Sequence, residues 1–482
     1  VRRADGETRL PLRRGHVVIC GLGSKGSRLA GAFRDAGQRV IAIDLAPDDA
    51  SAGLLREQGI TVLTGDASGE EALRTANATR AAHIFAVCGD DGVNAEVVVR
   101  ARGIAAGRTS GVLTCHAHIV DLPLYRLLRE QLLAGPRANS FRLEFFNIYE
   151  SGARALLSAH PIAPRGDEPA HLLIVGMGRM GEALALQAAR QWREDDTGSR
   201  LRVSVVDREA RERVASLHAR FPHLADVCEM VAHEIDVRSA EFEPSEFLTD
   251  EDGTCAVNCA VVCLPSDALS ISAALALNRR CVQEGRQVPI VARVTKRGGL
   301  QVLLSECEGV EAFPLLDETC TPEVLLRGVN ETLALAMHED YLRHEVAKGA
   351  ELRSRSAMFP WDELAEDLRE ANRAQADCLA ERLAAFDYRI APLTDWEAER
   401  FEFGREEIEG MARMEHERWC EERRGQGYTW GEERDDGRKR HPDLVLWEEL
   451  SEEAREKDRE FVRNLPAFLG KAGFQVERIS RT

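Results

Sequence analysis

Two stretches carry residues that can hold a phosphate and a ribose together. The first is Gly21-Leu22-Gly23-Ser24-Lys25-Gly26, with Asp44 eighteen residues after Gly26. Glycines let a backbone approach a pyrophosphate, and the amides at a helix start supply donors for it. A carboxylate at Asp44 accepts hydrogen bonds from a ribose diol and repels a 2′-phosphate. That chemistry favours NAD(H), or the unphosphorylated ribose of an adenine nucleotide, over NADP. The second stretch is Gly176-Met177-Gly178-Arg179-Met180-Gly181, with Asp207 twenty-six residues after Gly181.

Such residues act together only in a strand–turn–helix–strand setting. Residues 17–20 are an apolar run that reads as a buried parallel strand. Leu29, Ala30 and Phe33 follow at helical spacing up to Gly37, and residues 40–43 form a second strand ending on Asp44. The alternation continues with helices over 51–58 and 70–76 and strands over 60–63 and 83–88. Asp44, Asp66 and Asp90 then fall on the carboxyl edge of one parallel sheet, where ligands bind in such sheets. A strand at 111–115, a helix at 122–133, a strand at 141–146 and a helix at 149–159 complete this half, before the proline-rich link 161–169.

The second half repeats the first. Its strands are expected at 172–176, 202–206, 259–264, 288–294 and 310–313, with a last helix over 321–336. Glu234-Ile235-Asp236 stands where Gly65-Asp66 stood, so Ile235 puts a side chain where a backbone approaches ligand. The longer spacing to Asp207 comes from the polar stretch 194–200. The helices at 149–159 and 321–336 are the candidates for pairing the two halves.

Residues 16–105 resemble the nucleotide-binding RCK (TrkA-N) domain of Trk-type potassium-uptake regulators and potassium-channel gating rings. GLGSKG, IAID, VLTGDAS and VCGDDGVN, taken in order, carry the resemblance. It implies that Asp66 lies near the adenine or its ribose. It places Asp90 and Asn94, with Cys88 in the same segment, near the nicotinamide or phosphate end. It also implies NAD(H) as ligand with ATP or ADP the alternative, a homo-oligomer (dimer or higher), and an ion-channel membrane subunit as partner. In the second half Gly176, Gly178, Arg179, Gly181 and Asp207 would take the corresponding roles. Neither half is followed by the small regulator domain that many members of this family carry.

Beyond His344 the chain is charged and helical, and it repeats internally. At an offset of 86, Trp361 aligns with Trp447, Glu366 with Glu452, Arg373 with Arg459, Leu383 with Leu469 and Tyr388 with Phe474. A single such helix cannot bury its apolar face alone, so the two units are expected to pack about a pseudo-twofold axis. Residues 355–478 resemble the RyR repeat domain on Glu415, His416, Trp419, Gly427, Trp430, Gly431, Arg434, Asp435, Lys439, His441, Pro442 and Trp447. His416, Trp419, Tyr428, Trp430, Arg434, Lys439 and His441 are its candidate ligand residues. Aromatic faces stack on a base, and Arg or Lys holds a phosphate. The resemblance implies a nucleotide-derived small ligand. The same residues also suit a plain core with a solvated charged face.

Composition narrows the function. The 482 residues carry 63 basic and 81 acidic groups, a net charge of −18, which argues against a nucleic-acid binder. Twelve cysteines form no CxxC pair, and Cys255, Cys259 and Cys263 lie in an apolar segment without histidines. They read as reduced thiols in a cytoplasmic protein rather than a zinc site. No run of eighteen apolar residues is present. Residues 1–14 hold five arginines against Asp5 and Glu7. That lead reads either as a plain leader or as the cytoplasmic flank of a membrane segment preceding residue 1, at the inner face of the membrane. The chain has no Tyr-x-x-x-Lys, P-loop, HExxH or GxSxG, so catalysis is not expected.

The expected fold is therefore α/β: two tandem Rossmann-like parallel-sheet domains, then a mainly α-helical RyR-type domain with an internal pseudo-twofold repeat. The expected bounds are 1–15 for a basic leader, 16–160, a link at 161–170, 171–343, and 344–482. The expected function is a ligand-sensing regulator of a potassium or other ion channel. An NAD-dependent oxidoreductase and a non-catalytic interaction scaffold are the alternatives.

Overall fold

The computed structural model describes residues 14–108, 111–125, 127–128, 140–162, 170–194, 199–242, 246–248, 257–299, 304, 308–326, 329–347, 349–393, 401–435, 437–471 and 473–479. Most of the basic leader, the end of the helix expected at 122–133 and most of the link at 161–169 lie outside the described residues. Two compact units result, the first ending at Leu326 and the second running from Val329. No helix among the described residues is long and apolar enough to cross a membrane.

The first unit holds two parallel six-stranded sheets. Strands β1 (Val17–Cys20), β2 (Val40–Asp44), β3 (Thr61–Thr64), β4 (His83–Ala86), β5 (Leu113–His118) and β6 (Phe141–Phe146) lie in the order β3-β2-β1-β4-β5-β6. Strands β7 (His171–Val175), β8 (Leu201–Asp207), β9 (Cys228–Glu234), β10 (Cys259–Val262), β11 (Ile290–Val294) and β12 (Val310–Pro314) lie in the order β12-β11-β10-β7-β8-β9, the same arrangement read from its other edge. Val17, Val18, Ile19 and Cys20 are all buried, which is why β1 shows no alternation in sequence. The order reverses between β1 and β4, and between β7 and β10. That opens a crevice at the carboxyl ends beside each glycine turn.

The halves are joined by the helix Ile148–Ala159. It packs on the helices Arg179–Glu194 and Leu315–Thr319 of the second half, as a pairing element rather than a cover for its own sheet. Gly152 admits the crossing, since a Cβ there would stand 2.4 Å from Leu315 Cδ1. Beside it, Glu150 faces Arg190 at 3.6 Å with both side chains nearly buried. Arg28 Nε reaches Asp317 Oδ1 at 2.6 Å, and Asp317 Oδ2 accepts the Arg297 amide at 2.6 Å.

The expected helix over 321–336 and the boundary at 343 need correction. Pro322–Leu325 is one short helix, and Val329–Ala347 is another that belongs to the second unit. The reason is burial: Leu333, Ala334 and Met337 enter the same core as Leu379, Leu465, Phe468 and Leu469. The second unit is a duplication of helix, Trp turn, helix and strand. The strands Tyr388–Pro392 and Phe474–Arg478 pair antiparallel with Ile390 opposite Val476, so the symmetry axis passes between two residues related by the repeat offset. The duplicated arginines make the same bonds. Arg373 binds Glu331, Glu366 and Glu370, and Arg459 binds Glu409, Glu452 and Glu456.

Replacing Glu150 by Ala removes a carboxylate partner from the nearly buried Arg190. The first unit is expected to lose about 3 kcal/mol, the cost typical of breaking a buried ion pair. Urea unfolding followed by the fluorescence of Trp192 checks this, since that side chain lies on the same helix as Arg190.

Candidate functional site

The first glycine turn is built by close approach. Gly21 has φ +97, and a Cβ there would lie 2.9 Å from the Cys88 amide nitrogen. A Cβ on Gly26 would lie 1.8 Å from the Gly21 carbonyl oxygen, so the start of the helix Ser24–Asp35 passes directly under the end of β1. Gly23 is different: its Cβ position is open, and no side chain caps the helix there. The helix therefore starts with amides that lack a side-chain acceptor and face an open approach, the arrangement that binds phosphate.

Asp44 is held rigidly at the end of β2. Its Oδ2 accepts the Leu22 amide at 2.6 Å and its Oδ1 the Ala46 amide at 2.9 Å. At the next strand end Asp66 accepts the Ser68 amide and hydroxyl at 2.9 and 2.6 Å. Those bonds hold its carboxyl below the ordinary range. Across the crevice Cys88 donates to the Cys20 carbonyl at 3.4 Å. Burial, helped by Asp44 and Asp66, pushes that thiol up to about 11, so it stays protonated. Asp90 caps the helix Asp91–Ala105 by accepting the Val93 amide at 2.9 Å. Asn94 is fully buried, and its amide spans the Cys88 nitrogen, the Cys88 carbonyl and the His118 carbonyl. It is thus a strut that fixes the β4 and β5 ends.

The cations of the two turns are near enough to influence each other. Burial lowers Lys25, which also feels Cys320, Asp91 and Arg179 of the second turn. His118 senses both cations, and burial takes it down to about 3. His118 is buried with neither ring nitrogen bonded. Sequence reading did not single it out, because a histidine at a strand end carries no signal until the halves are brought together.

The second turn repeats the geometry. Gly176 has φ +96 and a Cβ position 2.8 Å from the Cys263 oxygen, and the Gly181 Cβ position lies 2.2 Å from the Gly176 oxygen. Gly178 is open, as Gly23 is. Asp207 accepts the Met177 and Glu209 amides at 2.8 and 3.0 Å. The Ile235 amide donates to the Asp207 carbonyl at 3.2 Å, as Gly65 does to Asp44 at 2.8 Å, which confirms their correspondence.

In the second unit the candidate ligand residues divide. His416 is buried on the helix Arg405–Gly425 and its Nε2 donates to the Val445 carbonyl at 3.0 Å. It stacks on Trp419 at 6.0 Å and leans on Trp447 at 5.8 Å, and His441 meets Trp419 edge-on at 4.9 Å. Within this ladder His416 and Trp447 are buried, while Trp419 and His441 are half-buried. Arg423 lies over both Trp419 and Tyr428, at 5.9 and 5.2 Å. Trp430 is 55% exposed on the loop that joins the short strands Thr429–Trp430 and Arg440–His441. Arg434 and Lys439 lie on the same loop, both exposed, with Lys439 donating to the Gln426 carbonyl at 2.8 Å.

Below the ladder lies a buried charged cluster that sequence reading missed. Glu415 binds Arg382, Arg418 at 2.7 Å and Gln375 at 3.0 Å. Arg382 is 2% exposed and lies over the Phe461 ring. Asp458 sits 3.7 Å from His416 Nδ1. Burial and the carboxylates of Glu415 and Asp443 push it up to about 7, against the pull of Arg382 and Arg418.

Residues 17–117 match the TrkA-N domain family, and residues 404–478 match the RyR domain family. The chain thus carries one stretch similar to TrkA-N domains and another similar to RyR domains. No curated protein sequence matches it. Among solved structures, GsuK bound to ADP is 19% identical, covers 66% of this chain and 70% of its own, and gives a TM-score of 0.42. The GsuK channel bound to NAD is 17% identical over 69% of this chain and 67% of its own, with a TM-score of 0.41. The TrkA-N domain of the inner membrane protein ybaL from Escherichia coli is 20% identical over 31% of this chain and 98% of its own, with a TM-score of 0.23.

Asp458 binds its proton more tightly folded than unfolded. Its contribution to stability is present at acid pH and is lost as pH rises from about 4 to about 7, on the order of 4 kcal/mol. Asp458→Asn is expected to flatten that slope and to raise stability at alkaline pH. Urea midpoints of both proteins across the neutral range check this.

Proposed function

We propose that this chain is a ligand-sensing regulator of an ion channel or transporter, potassium being the ion its TrkA-N domain favours. The first glycine turn binds NAD(H), or ATP or ADP in its place. The second unit reads a separate nucleotide-derived ligand. The observation that carries this reading is the first turn itself. An uncapped helix start with an open Gly23 faces the crevice, and Asp44 is fixed beside it by two backbone amides. In this reading the pyrophosphate lies on the amides after Gly23, with Lys25 and Arg179 supplying positive charge. The ribose diol lies on Asp44, and Asp66 borders the adenine.

A sensor fits the site better than a dehydrogenase. A general acid or base works with a pKa near the working pH. Here Cys88 is held near 11, His118 near 3, and Asp90 is committed to a helix cap. In the second unit the exposed Trp430 offers a stacking face, with Arg434 and Lys439 on its loop to meet a phosphate. Output to a membrane subunit at the cytoplasmic face, and assembly with further copies, complete the reading.

Thermal unfolding with NAD, NADH, ADP and ATP tests it. A ligand at a hundredfold excess over its dissociation constant stabilises the native state by about 2.7 kcal/mol. Asp44→Ala is expected to abolish the shift. Gly23→Ala is expected to leave the ligand-free transition in place, since its Cβ meets nothing, while weakening binding at least about tenfold by obstructing the phosphate. A shift retained by both variants, or none in the wild type, overturns the first-turn assignment. Trp430→Ala is expected to remove only the shift caused by a cyclic nucleotide or cyclic ADP-ribose.

A further inference from the structure

The two strand-end aspartates differ in how many acceptors they have left. An ionised carboxylate offers about four lone-pair positions. At Asp44 the Leu22 and Ala46 amides take two, and the next arginine in the following helix is Arg56, near its far end. The two remaining positions match the two hydroxyls of a ribose diol.

At Asp207 the same two amides are present, and an arginine is added. Arg213 Nε lies 3.4 Å from Asp207 Oδ1, one terminal nitrogen donates to the Met177 carbonyl at 3.4 Å, and the other donates to Glu209 Oε2 at 2.7 Å. The guanidinium thus binds the acid and the middle residue of the glycine turn at once. It brings to Asp207 the kind of donor a ribose would bring. The cavity beside it, about 300 Å³, is lined by Glu182, Glu209, Glu212, Arg213 and Arg220, more acid than base and unsuited to a phosphate. Ile235, where the first half has Gly65, stands at the next strand end.

We propose that the second turn is closed by its own Arg213, so that each chain takes one dinucleotide, at the first turn. An intramolecular group competes without losing translational freedom, and this one is held by three partners at once, Asp207, the Met177 carbonyl and Glu209. The proposal rests on the reading that the first turn binds an adenine nucleotide.

Isothermal titration of the full chain with NAD and with ADP tests it, on wild type, Asp44→Ala, Arg213→Ala and Arg213→Gln. The expected stoichiometry is one per chain in wild type, none in Asp44→Ala and two in the Arg213 variants. The glutamine variant guards against loss of fold in the alanine variant. Two per chain in wild type, a single site that survives Asp44→Ala, or one per chain in folded Arg213 variants overturns the proposal. No binding in wild type with one site gained in the Arg213 variants overturns the first-turn reading and upholds the closure. No binding in any protein overturns both.

Discussion

The first unit depends on one close passage, that of a helix start beneath the end of the strand before it. At Gly26 there is no room for a single carbon, and the same holds at Gly181. This passage sets the helix so that its first amides face the crevice rather than the sheet. It also brings the middle residue of each turn within reach of the aspartate on the next strand, so Leu22 binds Asp44 and Met177 binds Asp207. The glycines that are tight serve the fold, and the Cβ positions of Gly23 and Gly178 stand open. A helix start with its amides turned to the crevice is therefore a by-product of how the strand and helix must pack.

Both units are built by duplication, and in both the copies have diverged where chemistry is concerned. In the second unit the structural bonds are kept. His338 donates to Phe359 as His416 does to Val445, and each imidazole lies against its own Trp, 361 or 447, at 5.7 and 5.8 Å. Yet Met337 in the first copy is replaced by Glu415 in the second, and the buried arginine that Glu415 binds, Arg382, comes from the first copy's helix Leu379–Ala384. Burying charge in a core costs more than it returns unless the pairs are complete. This pair therefore joins the two copies, each supplying one charge.

The sheets were legible because parallel strands buried on both faces are continuous apolar runs, and the glycine turns punctuate them at fixed places. The repeat at an offset of 86 was legible because its tryptophans and arginines keep their bonds. What was not legible depended on tertiary pairing. The helix Val329–Ala347 reads as a continuation of the second half, since it follows a short helix with no strong break. The signal was there in the shared His-x-x-aromatic spacing of His338 with Tyr341 and His416 with Trp419, at an offset different from that of the tryptophans. The family resemblance placed Asn94 near one end of the ligand, and its three backbone bonds, which tie the β4 and β5 ends together, were not legible in the sequence. Arg382 and Arg213 gave no local signal, since an arginine on a helix is ordinarily solvated.

The halves of the first unit are bonded so that a change at the first turn is not local. Arg28 stands on the helix whose first amides face the crevice, and it holds Asp317, which holds the backbone of Arg297 after β11. Lys25 and Arg179 set one turn's charge against the other's. Burial is the main reason that Lys25 is held below the ordinary lysine range, with Arg179 a smaller one, so what ties the first turn to the second half is the chain of bonds from Arg28 through Asp317 to the backbone of Arg297.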